Sequence, residues 1–469
     1  SVWVKRANIT TATQIYELHV DANNQLGRLF DASGHIQLYG EVANVVHLNK
    51  ITTAVFRDPT SWYHIFIVVD TTESTAVDRV KLYVKGEQVT SFGTDTIPAQ
   101  NFDIWYQGNG SGTNNNIVGA YAGPLNLFDG YLAEFYTLDN QAEAVTTFGE
   151  FKNNVWIPKK PLGLTYGTLG YYLDFSNSSH FGEDQSGNGN DFTDSGLATN
   201  DQVLDTPTDN YPTLNPIHHL STATLANGNL ECSGTENEYG TRAINSGKWS
   251  WEITVNENGS FGMEATDSTE EVAADVSGEV VEMLADLDNG TLKKKVDGGS
   301  LETIEASLDL TKDWYPHFKA ACAVDFGQLG YTPTESGYKT MASSNMDDPT
   351  IMDSSEGCVT DSDTGANIPT TLAALRSGWT NYIDIYKNLS NIESWDVIFS
   401  DDSANSLHFD ADDEKDAKQT LAAGDTYTGV SLRVGTAYGL FTDEVSHTNG
   451  IAIDTAHGLN NPTVGIVKL

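Results

Sequence analysis

Acidic side chains at alternating positions of a strand are the residues here whose spacing could support catalysis. A retaining glycosidase needs two carboxylates about 5 Å apart, which a Glu-x-Asp-x-x-Glu pattern supplies on one strand face. The 469-residue sequence contains no such pattern. Glu134 lies in an aromatic, strand-like segment, 128–136, without a second acid at this spacing, and we predict that it is a solvated residue of a strand face. The sequence therefore predicts no catalytic residues.

Metal-binding patterns are also weak. The eleven histidines form no HExxH motif, and the adjacent pair at 218–219 would point to opposite faces of an extended chain. Acidic loops at 361–365 and 410–414 partly match calcium loops, because calcium favours clustered carboxylates. The first lacks the distant bidentate Glu and the second lacks a turn glycine, so solvated acidic loops are the alternative. We retain Asp361 and Asp363 as candidate calcium ligands and predict no other cofactor.

Aromatic and amide side chains beside one loop could bind a sugar. A ring presents a flat apolar face to a pyranose, while amides hydrogen-bond its hydroxyl groups. The loop 108–116 is rich in Gly and Asn and closely follows two aromatic residues, and binding residues commonly lie in loops. The alternative is that both rings pack at the edge of a sandwich. The candidate sugar ligands are Trp105, Tyr106, Asn114, Asn115 and Asn116.

The composition favours an all-β fold. The chain has 42 glycines and is 10% aromatic, which is typical of many short strands joined by tight turns. A net charge of −40 would repel nucleic acid and anionic membranes. The odd set of Cys232, Cys322 and Cys358 cannot all pair within one chain, so we expect buried thiols or one bridge. No apolar run is long enough to span a membrane.

Alternating apolar residues predict strands in the first part of the chain. Residues 61–70 are apolar on both faces, which is typical of a central strand covered on both sides, and they place Trp62 in a core. Residues 78–87 alternate cleanly and end in a Gly-containing turn, as a hairpin does. Residues 142–148 could form a short helix.

A second group of strand patterns follows a connector. Residues 158–216 are rich in Asn, Asp, Gly and Pro and have few apolar runs, as linkers do. In 248–255 the indoles of Trp249 and Trp251 alternate with polar residues, so we predict that they lie in a core. The basic run 293–295 follows an Asp-Asn-Gly turn, and we predict that its lysines guard an exposed sheet edge.

Residues 1–157 contain three strand-like segments in a fixed order: WYHIFIVVD, DRVKLYVKGEQ and IVGAYAG…FDGYLAEFYTLDNQ. Together they resemble the laminin-G-like, concanavalin A-like modules of marine bacteriophage structural proteins. The resemblance implies a sandwich that usually carries one more strand before the WVKR segment. We therefore expect residues 171–192, or a neighbouring subunit, to fill that edge. The resemblance also implies calcium at a loop rim, without identifying its ligands.

Residues 217–346 contain the segments GKWSWEITV, ADLDNGTLKKKVDGG, WYPHFKA and VDFGQ. Together these segments resemble a SPRY domain, which is a second concanavalin A-like sandwich. The stretch 269–278 departs from the glycine-rich strands of that fold.

Residues 347–469 show a short amphipathic helix at 368–377 and later strand patterns. The predicted fold is all-β: tandem concanavalin A-like jelly-roll sandwiches, laminin-G-like and then SPRY-like, joined by the extended connector 158–216 and followed by a small β-rich C-terminal domain.

These resemblances imply a non-enzymatic protein on the surface of a bacteriophage virion, such as a head or tail fibre, a spike or a decoration subunit. Such appendages are commonly trimeric. The expected partners are therefore identical subunits in a homotrimer, other virion proteins and cell-surface polysaccharide, without nucleic acid or membrane insertion. A secreted bacterial adhesin or carbohydrate-binding protein is the alternative, and a jelly-roll glycosidase is a remote one.

Overall fold

The computed structural model describes residues 1–346, except 22, 105–114, 122–124, 153–154, 219–222, 235–236 and 268, and the backbone of five strands beyond 346. The chain divides into two compact units, Ser1–Met346 and Asp347–Leu469. The described residues form strands and loops, with 3-10 helices at Ala76–Asp78, Val145–Thr147, Thr199–Asp201 and Ser343–Asn345. The all-β prediction is confirmed, and the helix expected at 142–148 is a single 3-10 turn.

The first sandwich consists of two antiparallel sheets. Its strands are β1 (Val2–Arg6), β2 (Thr13–Asp21), β3 (Asn24–Phe30), β4 (Ile36–Val42), β5 (Val45–Thr52), β6 (Trp62–Val69), β7 (Val80–Val84), β8 (Glu87–Val89), β9 (Phe92–Thr96), β10 (Asn115–Val118) and β11 (Gly130–Ala133). A five-stranded sheet of order β11-β1-β6-β7-β8 packs on a six-stranded sheet of order β10-β2-β3-β4-β5-β9. Val4, Ile65 and Leu82 of the smaller sheet share one buried core with Leu26 and Leu38 of the larger, because alternate residues of each strand face inward.

The outer face of the five-stranded sheet is also buried, because residues after 144 fold over it. Trp3, Trp62 and Trp156 belong to one buried aromatic cluster on this face, and Phe66 belongs to a second. Strand β6 is therefore covered on both sides, as the pattern of 61–70 predicts. The prediction that Trp62 lies in a core is confirmed, since 6% of its surface is exposed.

Two further strand pairs lie on this side of the first sandwich. They comprise β12 (Phe135–Thr137), the hairpin of β13 (Gly149–Lys152) and β14 (Val155–Pro158), and β15 (Tyr171–Leu173), which pairs antiparallel with β12. The segment 171–173 thus pairs with β12 in a separate two-stranded sheet. The expectation that 171–192 or a neighbouring subunit fills the edge of the first sandwich stays a prediction. The turn after β15 is held by the Asp184 carboxylate, which accepts hydrogen bonds of 2.9 Å from the backbone N–H groups of Tyr172, Ser186 and Asn190.

A second sandwich follows the connector. Its strands are β16 (Thr224–Ala226), β17 (Glu231–Ser233), β18 (Glu238–Tyr239), β19 (Lys248–Val255), β20 (Gly259–Ala265), β21 (Glu270–Asp275), β22 (Val280–Asp286), β23 (Thr291–Val296), β24 (Glu302–Glu305), β25 (Trp314–Phe318) and β26 (Cys322–Asp325). A seven-stranded sheet of order β16-β17-β26-β19-β22-β23-β24 packs on a four-stranded sheet of order β18-β25-β20-β21. Trp249 and Trp251 lie in their shared core, as predicted.

The basic run 293–295 does not guard a sheet edge, and that prediction is wrong. Strand β24 pairs with β23 on its far side, so the run lies within the sheet. Lys294 is 5% exposed and forms an ion pair with the buried Asp275. In the same sheet, the adjacent strands β17 and β26 carry the two described cysteines. Cys232 and Cys322 face each other as buried free thiols, with their Sγ atoms 3.5 Å apart.

The unit Asp347–Leu469 is described only at five strands. They are β27 (Asp384–Ile385), β28 (Ser394–Phe399), β29 (Asp402–Asp410), β30 (Val430–Val434) and β31 (Val467–Lys468). Strands β29, β28 and β30 form an antiparallel sheet in that order, and β27 pairs with β31. The helix expected at 368–377 lies outside the described residues.

A buried ion pair joins the first sandwich to the connector. The Lys5 ammonium of β1 donates to Oδ2 of Asp205 (2.6 Å), Oδ1 of Asn210 (2.7 Å) and the carbonyl of Tyr211 (2.7 Å). Both charged side chains are 1% exposed or less. Burial lowers the pKa of Lys5, and the charge and hydrogen bond of Asp205 oppose that shift. The other carboxylate oxygen of Asp205 accepts a hydrogen bond from Nε1 of Trp62 (2.8 Å).

Asn210 carries this connection onward to the second sandwich. Its side-chain nitrogen donates to the carbonyl of Thr60 (2.7 Å), next to β6. Its backbone N–H donates to Oγ of Ser343 (2.8 Å), and its carbonyl accepts a hydrogen bond from Arg242 (3.1 Å). One residue therefore bonds to Lys5 and Thr60 on one side and to residues of the second sandwich on the other.

We predict that removing either charge of this pair destabilises the protein strongly. Lys5→Met or Asp205→Asn leaves the other charge buried without its counterion, which costs about 3–5 kcal/mol in the free energy of unfolding. Urea denaturation followed by tryptophan fluorescence measures this loss. The double variant Lys5→Met/Asp205→Leu should recover much of it, because no buried charge remains.

Lys159→Met is the matched control for these variants. Lys159 pairs with Glu150 at 3.8 Å, and both side chains are about half exposed, so its removal should cost less than about 1 kcal/mol. Single variants of Lys5 and Asp205 that cost no more than Lys159→Met would contradict the role of the buried pair.

His64 makes the first sandwich sensitive to acid. Its ring is fully buried and stacks on Trp3 and Trp156, with centroid distances of 4.9 and 5.9 Å. Nδ1 accepts a hydrogen bond from the Trp156 indole (3.0 Å), so Nε2 carries the proton and donates to Oγ of Ser1 (2.9 Å). Burial lowers the pKa of His64 from 6.5 to about 3.

We predict that this histidine lowers the stability of the protein as the pH falls. The contribution of His64 to the free energy of unfolding is fully present above 6.5, its pKa in the unfolded chain. It is lost between pH 6.5 and about 3, at about 1.4 kcal/mol per pH unit. The His64→Gln variant should show a shallower slope of unfolding free energy against pH between 7 and 4.5. Equal slopes in the two proteins would show that His64 does not titrate in this way.

Candidate functional site

The outward face of the six-stranded sheet carries polar and aromatic side chains in two rows that cross the strands. Leu26, Leu38 and Leu48 face the core, so their sequence neighbours face outward. The backbone register of β2 to β5 places Glu17, Gly27, Tyr39 and Asn49 in the first row and His19, Gln25 and Glu41 in the second. We call these residues, together with Tyr121, the outward face.

A hydrogen-bond network fixes the side chains of this face. Oε2 of Glu41 accepts hydrogen bonds from the hydroxyl of Tyr39 (2.8 Å) and from Nε2 of Gln25 (3.1 Å). The hydroxyl of Tyr121 donates to Oε1 of Gln25 (2.9 Å). Two rings, one carboxylate and one amide are therefore held in one connected arrangement.

Glu17 and His19 extend the polar surface. Nδ1 of His19 lies 3.3 Å from Oε1 of Glu17, and its ring meets the Tyr121 ring edge-on, with centroids 6.1 Å apart. His19, Gln25, Tyr39, Glu41 and Tyr121 are all partly exposed, whereas Glu17 is 1% exposed. The accessible part of the face therefore consists mainly of hydrogen-bonding groups and ring surface.

The two phenols of this face stay neutral at physiological pH. Burial, and then the hydrogen bond to Glu41, raise the pKa of Tyr39 to about 12. Burial, and then the charges of Glu17 and Glu41, also raise the pKa of Tyr121. Each hydroxyl therefore keeps the proton that it donates within the network and can accept a further hydrogen bond, as the carboxylates can, and this combination suits a ligand that is rich in hydroxyl donors.

The residues predicted to bind sugar lie next to this face or outside the described residues. Trp105, Tyr106 and Asn114 fall outside the description. Asn115 begins β10 and pairs with His19 in the sheet register. The prediction of a loop through residue 116 is wrong, since Asn116 also belongs to β10 and accepts a 2.6 Å hydrogen bond from the hydroxyl of the buried Tyr16.

Glu134 also differs from expectation. It lies between β11 and β12 with φ +53°, and its Oε2 accepts hydrogen bonds from the hydroxyls of Tyr136 (2.5 Å) and Tyr172 (2.9 Å). It is half-buried and paired, not a solvated strand-face residue. The candidate calcium ligands Asp361 and Asp363 lie outside the described residues.

A second cluster lies on the outer face of the four-stranded sheet. In β25, Trp314 and Phe318 face the core, so Tyr315 and His317 face outward. The ring of Tyr239 stacks on the His317 ring, with centroids 4.9 Å apart and an interplanar angle of 5°. His218 stacks on the other face of Tyr239 at 4.5 Å, so three rings form one column.

Glu264 of β20 completes this second cluster. Its Oε2 accepts a hydrogen bond from the Tyr239 hydroxyl (3.0 Å) and lies 3.5 Å from Nε2 of His317. Burial, then the hydrogen bond to Glu264, raise the pKa of Tyr239 to about 12. Burial lowers the pKa of His317 to about 4, so its imidazole is neutral near pH 7.

A cavity of about 250 Å³ opens beside this cluster. That volume is below the roughly 300–1,000 Å³ of sites for drug-sized ligands, so the cavity suits a small ligand or an ion with its water. Donor atoms of Glu264, Glu270 and His317 all lie within 4.8 Å of one another. The cavity is lined by Asn215, His218, Tyr239, Glu264, Ala265, Thr266 and Tyr315.

Sequence patterns missed both clusters because neighbouring strands assemble them. Tyr39 and Glu41 are two residues apart, as are Tyr315 and His317, so alternation alone could have placed each pair on one strand face. The partners Tyr121 and Glu264 come from distant segments, and only the sheet register brings them close. For His218, the sequence shows only an adjacent pair of histidines at 218–219.

In the described part of the chain, no helix has the length and apolar character needed to cross a membrane.

Comparisons with known proteins give a family match for the first part of the chain and distant likenesses to solved structures. Residues 1–138 match the family described as the concanavalin A-like lectin/glucanases superfamily (Laminin_G_3). Among solved structures, the SPRY domain of human HERC1 is 15% identical, with a TM-score of 0.20, over 24% of this chain and 95% of that domain. The TRIM65 PSpry domain is 11% identical, with a TM-score of 0.20, over 24% of this chain and 90% of that chain. The chain matches no curated protein.

Proposed function

We propose that this chain is a non-enzymatic carbohydrate-binding protein and that the outward face binds the sugar. The network of Tyr39, Glu41, Gln25 and Tyr121 carries the proposal. Its rings offer apolar surface to a pyranose, and its phenols, amide and carboxylate can exchange hydrogen bonds with hydroxyl groups. The family match of residues 1–138 includes every residue of the face and supports a lectin-like role.

The charge of the site favours neutral or amino sugars. Glu17 and Glu41 lie in the two rows of the face, and the whole chain carries a net charge of −40. A sugar with its own carboxylate or sulfate would be repelled. A protonated amino group would instead be attracted to Glu41.

The positions of the two acids support binding without hydrolysis. Glu17 lies on β2 and Glu41 on β4, with β3 between them, which separates their backbones by roughly 10 Å. A retaining glycosidase holds its two carboxyl groups about 5–5.5 Å apart and an inverting one about 6.5–9.5 Å apart, so this separation argues against the retaining arrangement. Glu17 is also nearly fully buried beside His19. A jelly-roll glycosidase is therefore the less favoured function.

We further propose that the protein is displayed on a bacteriophage virion as a fibre, spike or decoration subunit. The proposal rests on the ordered resemblance of residues 1–157 to phage structural modules and on the tandem sandwich layout. Its partners would be two identical subunits, other virion proteins and the cell-surface polysaccharide of the host. A secreted bacterial adhesin with the same modules is the alternative.

We predict that the full chain binds neutral or amino glycans on an array and that this binding depends on the outward face. Tyr39→Ala and Tyr121→Ala should each weaken binding about tenfold or more, because each removes a ring and a hydroxyl from the contact surface. Affinities for the glycans identified on the array are then measured by isothermal titration calorimetry.

Tyr315→Ala serves as the control, since it removes a partly exposed tyrosine from the second sandwich. Circular dichroism checks that all variants fold. If Tyr315→Ala weakens binding while the variants of the outward face do not, the sugar site is wrongly placed. Release of reducing sugar from any bound glycan would contradict the non-enzymatic role.

We predict that antibodies to this chain label the surface of purified virus particles in electron microscopy. The isolated chain should sediment as a trimer, at three times its 50.9 kDa mass. Labelling of bacterial cell envelopes, with particles unlabelled, would favour the adhesin. A monomer at micromolar concentration would contradict the homotrimer.

A further inference from the structure

We propose that Glu264, Glu270 and His317 form a binding site for a divalent transition-metal ion, with Zn²⁺ as the preferred ion. The site lies on the outer face of the four-stranded sheet of the second sandwich. It is separate from the proposed sugar site, which belongs to the first sandwich, and it does not depend on sugar binding.

The spacing of the donor atoms suits a small ion. One donor atom from each residue lies within 4.8 Å of the other two. Zn²⁺ binds imidazole nitrogen and carboxylate oxygen at about 2.0–2.2 Å in tetrahedral geometry, which places neighbouring ligand atoms about 3.4 Å apart. Nε2 of His317 and Oε2 of Glu264 are 3.5 Å apart. An ion therefore fits between these two atoms, and Glu270 needs to move by at most about 1.4 Å, the difference between 4.8 Å and the tetrahedral spacing.

His317 provides an independent reason to expect a ligand. Its side chain is fully buried, and neither ring nitrogen has a hydrogen-bond partner among the described residues. Buried polar atoms are nearly always paired. Because Nε2 lies 3.5 Å from Oε2 of Glu264, which lines the cavity, a metal ion between the two atoms would provide the missing partner.

The surrounding residues hold the donors in place. Strand β25 carries His317 in the middle of the sheet, and the Tyr239 ring stacks on the imidazole. The Tyr239 hydroxyl donates to Oε2 of Glu264, as outer residues of metal sites commonly do to orient a ligand. Both acidic donors come from neighbouring strands, β20 and β21. The site is thus built on sheet positions, with an additional orienting bond.

The donor set selects the type of ion. Calcium and magnesium prefer all-oxygen sites, whereas one imidazole and two carboxylates suit Zn²⁺. Two carboxylates also balance the charge of a divalent ion. Three protein ligands leave a fourth position for water or a small ligand. The 250 Å³ cavity, which Glu264 lines, provides room and an entry path.

Lys319 competes with the ion for Glu270. Its Nζ lies 2.5 Å from Oε2 of Glu270, and both side chains are about one third exposed. Binding of the ion must break or stretch this pair. Removing the lysine should therefore strengthen metal binding, whereas removing the acid should weaken it, and this opposite response separates metal binding from general destabilisation.

Isothermal titration calorimetry of the metal-free full chain with Zn²⁺ tests the site. Glu270→Gln should weaken one binding site at least tenfold, and Glu264→Gln should do the same. Lys319→Met should tighten that site by about thirtyfold, the effect of one unit charge on a divalent ion about 4 Å away in water. Glu270 is exposed, so its variant is expected to fold normally, and a thermal melt without metal checks this.

Glu150→Gln is the matched control, because Glu150 is an exposed glutamate of β13 that also lies beside a lysine. It should leave the number and affinity of Zn²⁺ sites unchanged. Cobalt(II) provides a second readout, since a visible absorption typical of tetrahedral nitrogen and oxygen ligands should appear in wild type and disappear in Glu270→Gln. Identical Zn²⁺ titrations of wild type, Glu264→Gln and Glu270→Gln would overturn the proposal.

Discussion

The buried ion pair of Lys5 and Asp205 is the interaction on which the arrangement of the first 346 residues depends. An ammonium removed from water costs several kcal/mol unless all its hydrogen bonds are replaced, and here three acceptors replace them. Those acceptors lie in 205–211, the part of the connector that also bonds to Thr60, Arg242 and Ser343. The connector is thus tied to the first sandwich by the buried charge of Lys5, whose hydrogen-bonded counterion is Asp205.

This attachment also decides which surface of the first sandwich can bind a ligand. Trp62 donates to Asp205 and packs with Trp3 and Trp156, so the outer side of the five-stranded sheet is closed by the chain that follows it. The six-stranded sheet keeps polar side chains on its outer side. Covering one of the two sheet surfaces with aromatic residues leaves the outward face as the open sheet surface of this sandwich, where we propose that the sugar binds.

Sequence patterns predicted the strands well because alternation reports burial directly. The core positions of Trp249 and Trp251 follow from that rule, and that of Trp62 follows from a run that is apolar on both faces. The rule fails for polar residues, since it cannot say whether a charge meets water or a partner. The sequence pattern predicts an exposed Lys294. In the structure, β24 pairs with the strand of Lys294, and Asp275 forms an ion pair with its ammonium. Asp205, the partner of Lys5, lies 200 positions away in the sequence, and no local pattern contains that information. The candidate sites were missed for the same reason, because sheet register assembles them.

The two sandwiches share one local device and use it differently. Each places a tyrosine hydroxyl on a glutamate: Tyr39 on Glu41 at 2.8 Å, and Tyr239 on Glu264 at 3.0 Å. In the first, the same carboxylate oxygen also accepts from the Gln25 amide, so the network continues through neutral groups that can exchange hydrogen bonds with a sugar. In the second, the neighbour is an imidazole whose nitrogens lack partners among the described residues. A neutral imidazole lone pair beside a carboxylate suits a cation rather than a hydroxyl group. The residue beside each Tyr–Glu pair, Gln25 in the first sandwich and His317 in the second, therefore determines which kind of ligand the cluster suits.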